Sequence, residues 1–295
     1  MDEYKPKGTP TPVPVHVKID ANNALETVHL MSLAGIAKAQ LSWVDLILKS
    51  LLGGIFISMG ALFDLIVAGG AVGLRETNPS LAVLLSGAVF PIGFAMIVVT
   101  NSELATSNMM VMVIPMLQRR ISIYDLSRNW VVSYVFNLAG ALFTGGFLAW
   151  WTNALSTDAE KTYAATGAAS RVNTQWSVNF LRGVGCNWLV GMAIFFATAN
   201  REGVSKIYGI WIAVTTFCVL GYQHCIANFL LVPIGLWYGA PVSVGKFIYQ
   251  SVIPVTLGNI LGGAVFGGVV FWWLYGRDEN DSATKDCVES EHTMC

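Results

Sequence analysis

The chain has 295 residues, of which 54% are hydrophobic and 12% charged, with a mean hydropathy of +0.58, whereas a soluble domain carries about a quarter charged residues. A net charge of -1 and the lack of any basic stripe with interleaved aromatics argue against a nucleic-acid partner. This is the composition of an integral membrane protein embedded in a lipid bilayer.

Residues 1–24 are rich in Pro and Lys without an apolar signal stretch, and read as a disordered tail. Residues 24–50 repeat apolar side chains at helical spacing and carry Lys38 and Lys49, which predicts an interfacial helix leading into the first span. Apolar spans follow at about 51–72, 81–118, 129–151, 176–198, 207–238 and 249–275. Residues 25–276 thus form one six-span domain, and 277–295 a polar tail with one glycosylation sequon at Asn280-Asp281-Ser282.

Two of these spans cannot be simple helices. Span 2 is too long and is interrupted by Thr100-Asn101-Ser102-Glu103-Leu104-Ala105-Thr106. Span 5 is interrupted by Gly221-Tyr222-Gln223-His224-Cys225-Ile226-Ala227-Asn228, and neither of its flanking runs crosses about 30 Å alone. Broken backbone at membrane depth is tolerated only where protein or a watery cavity satisfies it, so both breaks are expected on a transport path.

The two halves also repeat. Span 3 reads Asn137-Leu-Ala-Gly140 with Gly145-Gly146, and span 6 reads Asn259-Ile-Leu-Gly262 with Gly267-Gly268. Asn108 follows one break and Asn228 the other, at nearly the same offset (259 − 137 = 122; 228 − 108 = 120). Three spans per repeat is an odd number, so the halves are inverted in the membrane and share one pore. Glycines in spans 1, 3, 4 and 6 read as faces for close helix packing. Six spans put both termini on one side, which collects twelve of the seventeen Lys and Arg residues. Both termini are therefore expected to be cytoplasmic, with the cell membrane as the location.

His224 reads as the functional group of the path, because a neutral imidazole can donate to an anion or exchange a proton with a weak acid. Thr106 is placed to close the first break or to offer its hydroxyl to His224. Glu103 reads first as a structural acceptor for backbone amides freed by the break, with exposure to the permeant as the alternative. Asn108, Asn137, Asn187, Asn228 and Asn259 read first as interhelical hydrogen bonds. Phe90, Phe94 and Phe217 are core aromatics by default, and Asp64 in span 1 has no partner identifiable from sequence. The five cysteines lack metal-ligand or CxxC spacing, so no metal and no cofactor is expected.

The stretch Val99–Ser107 resembles the first signature of the formate/nitrite transporter family. Gly185-Cys186-Asn187-Trp188-Leu189-Val190-Gly191 resembles its second, and Gly221–Asn228 its central histidine loop. The likeness covers about 25 to 276. It implies an all-α, aquaporin-like fold with one pore per subunit, assembled as a homopentamer that passes small monovalent weak-acid anions such as nitrite, formate, acetate, lactate or hydrosulfide. It further implies His224 as the central pore histidine and Thr106 as its partner, with Asn187 and Asn228 as family asparagines. Leu104, Ala105 and Phe94 would form the inner constriction, and Phe90 and Phe217 the outer one.

Four positions depart from the family pattern. Asn101 stands where Gly is usual, Ala105 where a bulky Phe is usual, and Gly191 where Cys is usual. The loop before span 4 has no lysine, and Arg171 is the substitute considered at that vestibule. These departures and the polar tails resemble the eukaryotic nitrite-carrying members, so nitrite is the expected permeant. Either His224 or water beside it gives the anion a proton and the neutral acid crosses, or an imidazolium stabilises the anion itself, and the sequence does not choose between the two. A formate, lactate, acetate or hydrosulfide channel of the same family is the alternative. A neutral-solute channel is a rival from another class, disfavoured because neither break contains Asn-Pro-Ala. An intramembrane enzyme is disfavoured because Gly-x-Ser-x-Gly, paired intramembrane aspartates and His-Glu-x-x-His are all missing.

Overall fold

The computed structural model describes residues 20–277. The expectations for the two outer tails, including the sequon and the thiols of Cys287 and Cys295, fall largely outside the described residues. Among those described the chain is almost entirely helical, and five helices are long and apolar enough to cross a membrane.

Helix α1 (Ala24–Ala39) starts on a capping box: the Glu26 N–H donates to Asn23 Oδ1 at 2.9 Å and the Asn23 N–H donates to Glu26 at 3.0 Å. Helix α2 (Trp43–Gly70) is the first span and is followed by the short α3 (Val72–Thr77). Helices α4 (Pro79–Val99) and α5 (Ala105–Leu117) form the broken second span, and α6 (Ile123–Trp151) the third. Helix α7 (Asp158–Asn173) precedes the fourth span, α8 (Trp176–Ala199). The fifth span is split into α9 (Gly203–Val219) and α10 (Cys225–Trp237), and α11 (Val244–Gly276) is the sixth.

Two boundaries differ from the sequence reading. The first span begins at Trp43, not near residue 51, because Ser42 caps a new helix by accepting from the Asp45 N–H at 3.1 Å. The stretch before span 4 is the helix α7 and not a loop. Thr157 and Glu160 form a capping box there, and Ala164 and Ala168 pack so closely on Gly235 of α10 that a Cβ at Gly235 would collide with them.

The inverted repeat is written in backbone contacts. A Cβ at Gly140 of α6 would strike the Leu51 carbonyl of α2, and one at the equivalent Gly262 of α11 would strike the Val184 carbonyl of α8. Backbones therefore touch at the same place in both halves, which larger residues would forbid. Tyr134 and Thr256 hold equivalent positions in α6 and α11, and their hydroxyls meet at 2.6 Å. That pair bridges the halves.

The π-helical turns at Thr144–Trp151 and Leu261–Val269 lie in the glycine-rich segments of the third and sixth spans. Pro91 lacks an N–H to continue α4 regularly, and the helix is interrupted at Phe90.

Candidate functional site

Each break is a reversal followed by a capped half-helix. In the first, α4 ends at Thr100 and Asn101 takes the left-handed conformation, φ 52°; in the second, α9 ends at Leu220 and Gly221 takes the same conformation, φ 66°. Asn is among the few side-chain-bearing residues that visit this region readily, so its presence in place of Gly leaves the reversal intact.

The amides freed by the breaks are satisfied from the spans opposite. The Ala105 N–H donates to Asn137 Oδ1 at 2.9 Å, and the Asn137 amide donates to the carbonyls of Ser50 (2.6 Å) and Glu103 (2.9 Å). The Cys225 N–H donates to Asn259 Oδ1 at 2.9 Å, and the Asn259 amide donates to the carbonyls of Gly183 (2.8 Å) and Gln223 (3.0 Å). One asparagine thus fastens each break between two spans. The two half-helices start mid-span and run to opposite faces, so their positive dipole ends converge.

Where they converge, His224 meets Thr106. His224 is the N-cap of α10 and is 3% exposed. Its Nδ1 accepts the Ala227 N–H at 3.0 Å, and its Nε2 lies 2.9 Å from Thr106 Oγ1. Because Nδ1 is engaged as an acceptor, the neutral ring carries its hydrogen on Nε2. That hydrogen faces the Thr106 hydroxyl. Leu104 holds the equivalent N-cap position of α5, so only one half supplies a titratable ring.

Cavities approach this pair from both sides. One, of about 290 Å³, lies on the face away from the described termini and is lined by Phe90, Phe217, His224 and Asn228, with Asp64 and Arg171 further along. The Phe90 and Phe217 rings meet edge to face at 5.8 Å, and Phe217 stacks on the His224 ring at 6.1 Å. The other, of about 120 Å³, is lined by Lys38, Asn101, Ser102 and Ser107. Phe94, Leu104 and Ala105 are fully buried and line neither.

Glu103 also lines neither cavity. It is 1% exposed, and its carboxylate accepts from Lys38 Nζ at 2.6 Å, Asn108 Nδ2 at 2.7 Å and Asn129 Nδ2 at 3.1 Å. These are side-chain donors. The freed Ala105 amide is capped by Asn137 and not by Glu103.

Sequence placed Lys38 only on the interfacial helix and not beside Glu103, from which a whole span separates it. In the other half Asn228 Nδ2 donates to Gln223 Oε1 at 3.0 Å and to Ser251 Oγ at 3.4 Å. The same network is therefore charged in one half and neutral in the other. Asn187 joins the halves by donating to the carbonyls of Thr106 (3.0 Å) and Asn259 (2.7 Å), while its buried Oδ1 has no protein partner.

Six spans in two inverted halves, with two half-helices meeting head to head at a buried histidine, define a membrane transport protein of the channel type. Residues 25–273 match the formate/nitrite transporter family. The chain belongs to that family. It is 40% identical over 247 residues to a protein of Methanothermobacter thermautotrophicus named as a probable formate transporter, covering 79% of this chain and 89% of that one. Among solved structures it is similar to an ion channel of the same family, with a TM-score of 0.76, 25% identity and coverage of 84% and 98%. It is also similar to a pentameric formate channel with formate bound, with a TM-score of 0.67, 27% identity and coverage of 86% and 99%. The family and these relatives are channels and transporters, not enzymes.

Proposed function

We propose that the chain moves a small monovalent weak-acid anion across the cell membrane, through a path that joins the two cavities at the Thr106–His224 pair. The observation that carries this reading is the 2.9 Å contact between Thr106 Oγ1 and His224 Nε2 at the meeting point of two half-helix N-termini. Two positive dipole ends and an N–H donor favour a negative guest, and a tube of apolar side chains disfavours every other charged one. Phe90 and Phe217 act as the outer constriction, and Phe94, Leu104 and Ala105 as the inner one. Arg171 serves as the cation of the outer vestibule.

The tautomer constrains how a proton accompanies the anion. A neutral imidazole that gave up its only ring hydrogen would become an imidazolate, so Nε2–H acts as a hydrogen-bond donor that steadies the anion. The proton that neutralises the anion then comes from the bulk solution on the entry side and is returned to the solution on the exit side, while His224 keeps its own. Forming an imidazolium instead requires Nδ1 to release the Ala227 N–H and uncap α10.

Nitrite, expected from the departures from the family pattern together with the polar tails, and formate, named for the relatives above, are both bent two-oxygen anions that this path accommodates. Formate is the reading the relatives favour. The subunits are taken to assemble as a pentamer, as the formate channel of similar structure does, with both termini cytoplasmic. Uptake of labelled formate and nitrite into proteoliposomes tests the reading: saturable, mutually competitive uptake that rises on acidification supports it. If neither anion enters, the reading is wrong.

A further inference from the structure

We propose that Asp64 is an affinity-setting residue of the Arg171-side vestibule, its charge state deciding how strongly that cavity holds an incoming anion. The inference rests on the transport reading above. Asp64 lies on α2 and lines the cavity of about 290 Å³ together with Ser86, Tyr163, Arg171 and His224. Ser86 and Arg171 share the wall of this cavity with Asp64, and the Ser86 hydroxyl donates to the Val83 carbonyl at 3.2 Å.

A fixed carboxylate on the wall of a cavity that an anion must cross opposes the guest, unless a cation cancels it. Arg171 is that cation. It is held in place by donating from Nη1 to the Gly167 carbonyl at 3.2 Å. With Asp64 ionised, the pair is electrically neutral and the cavity gives a monovalent anion little attraction. With Asp64 protonated, Arg171 is uncompensated and the carboxyl offers an O–H donor. Proton binding at Asp64 and anion binding in the vestibule are thereby linked, and each must strengthen the other.

The surrounding groups do not replace this titration. From α4 the cavity receives Ser86, from α9 Cys218, and from the start of α10 His224, whose Nδ1 is occupied by the Ala227 N–H. From α7 come Tyr163 and Arg171, and Arg75 in the last turn of α3 stacks over the Tyr163 ring at 4.6 Å. Glu160, also on α7, is turned toward Gly69 and Gly70 at the end of α2, where it caps its own helix. Asp64 is thus the one carboxylate lining this cavity among the described residues.

The test is the concentration dependence of labelled formate uptake into proteoliposomes between about pH 5 and about pH 8, comparing wild type, Asp64→Asn and Asp64→Glu. We expect the wild-type KM to rise about tenfold toward the alkaline end, the scale of one screened charge at cavity distance. Asp64→Asn should hold the acid-side KM throughout, the change falling on KM and not on the maximal rate. Asp64→Glu, which keeps a titrating carboxyl, should restore the wild-type dependence. It also covers the case in which Asp64→Asn is not recovered folded, since a pH-independent KM in Asp64→Glu overturns the proposal. Wild-type uptake with an unaltered Asp64→Asn profile overturns this proposal alone. An Asp64→Asn KM raised at every pH also overturns it, and makes Asp64 a holder of Arg171. No anion uptake by wild type at any pH overturns both this proposal and the transport reading.

Discussion

Asn137 and Asn259 do the same work in the two halves: each accepts the first N–H of a half-helix at 2.9 Å and donates to two carbonyls, one on a neighbouring span and one in the break itself. All of these atoms are buried, so each asparagine answers for three backbone groups that lipid and packed protein cannot satisfy.

Replacing Asn259 by Ala should therefore destabilise the fold by about 3 kcal/mol or more, since one donor and two acceptors lose their partner at about 1–3 kcal/mol each. Asn137→Ala should cost a similar amount. Thermal unfolding of the purified protein in detergent checks this, and a loss of stability in only one variant would show that the halves are not held alike.

His224→Asn separates the chemistry of the ring from its role as a cap. Asparagine is among the best N-cap residues, so α10 should keep its start and the melting temperature should move by only a few degrees. Anion uptake should fall at least tenfold because the Nε2–H donor is gone. His224→Ala should lose uptake and stability together, about 1 kcal/mol for the missing cap. Measuring both variants by uptake and thermal shift distinguishes the two roles.

Thr106→Val removes the hydroxyl that faces Nε2 with almost no change of shape. Uptake should fall about tenfold, the worth of one buried hydrogen bond of about 1–1.5 kcal/mol. Thr106→Ser should recover most of it. Equal uptake in Val and Ser variants would remove Thr106 from the path.

Breaking the Lys38–Glu103 pair should be costly from either end. With Lys38 at 14% and Glu103 at 1% side-chain exposure, Lys38→Met leaves an uncompensated buried carboxylate at about 3–5 kcal/mol. The double variant Lys38→Met with Glu103→Gln should be more stable than the sum of the single losses predicts. The coupling energy from this four-protein cycle, read by thermal or denaturant unfolding, checks the expectation. Additive losses would mean that the pair is not energetically coupled.

At Asn101 the left-handed backbone predicts an ordering of substitutions. Asn101→Gly should be tolerated, whereas Asn101→Val should cost about 1–2 kcal/mol because a β-branched side chain is strained at that φ. Relative stability and the yield of assembled protein report the order.

What was legible from sequence is what short-range pattern encodes. Runs of apolar residues of bilayer length define spans, a polar octet inside such a run forces a break, and a histidine in that octet must lie near mid-membrane. The repeated Asn-x-x-Gly with paired glycines gave away the inverted halves, because the same close packing needs the same small residues in each. Each of these signals is carried by a short local stretch, compared once with its copy in the other half, where hydropathy and backbone chemistry leave little choice.

The partners of those residues were decided only by packing. Glu103 was expected to cap backbone amides, but α1 returns Lys38 to it across the first span, and Asn137 takes the capping task. The helix at Asp158–Asn173 reads as a polar loop by hydropathy; its Thr157–Glu160 capping box was the local signal for it, and its alanines acquire a purpose only against Gly235. Asp64 and Arg171, more than a hundred positions apart, share a cavity because α7 folds back beside α2. Hydropathy is a property of each segment alone, whereas the choice of a side chain's neighbour depends on how whole helices cross, and the spacing along the chain carries no record of that.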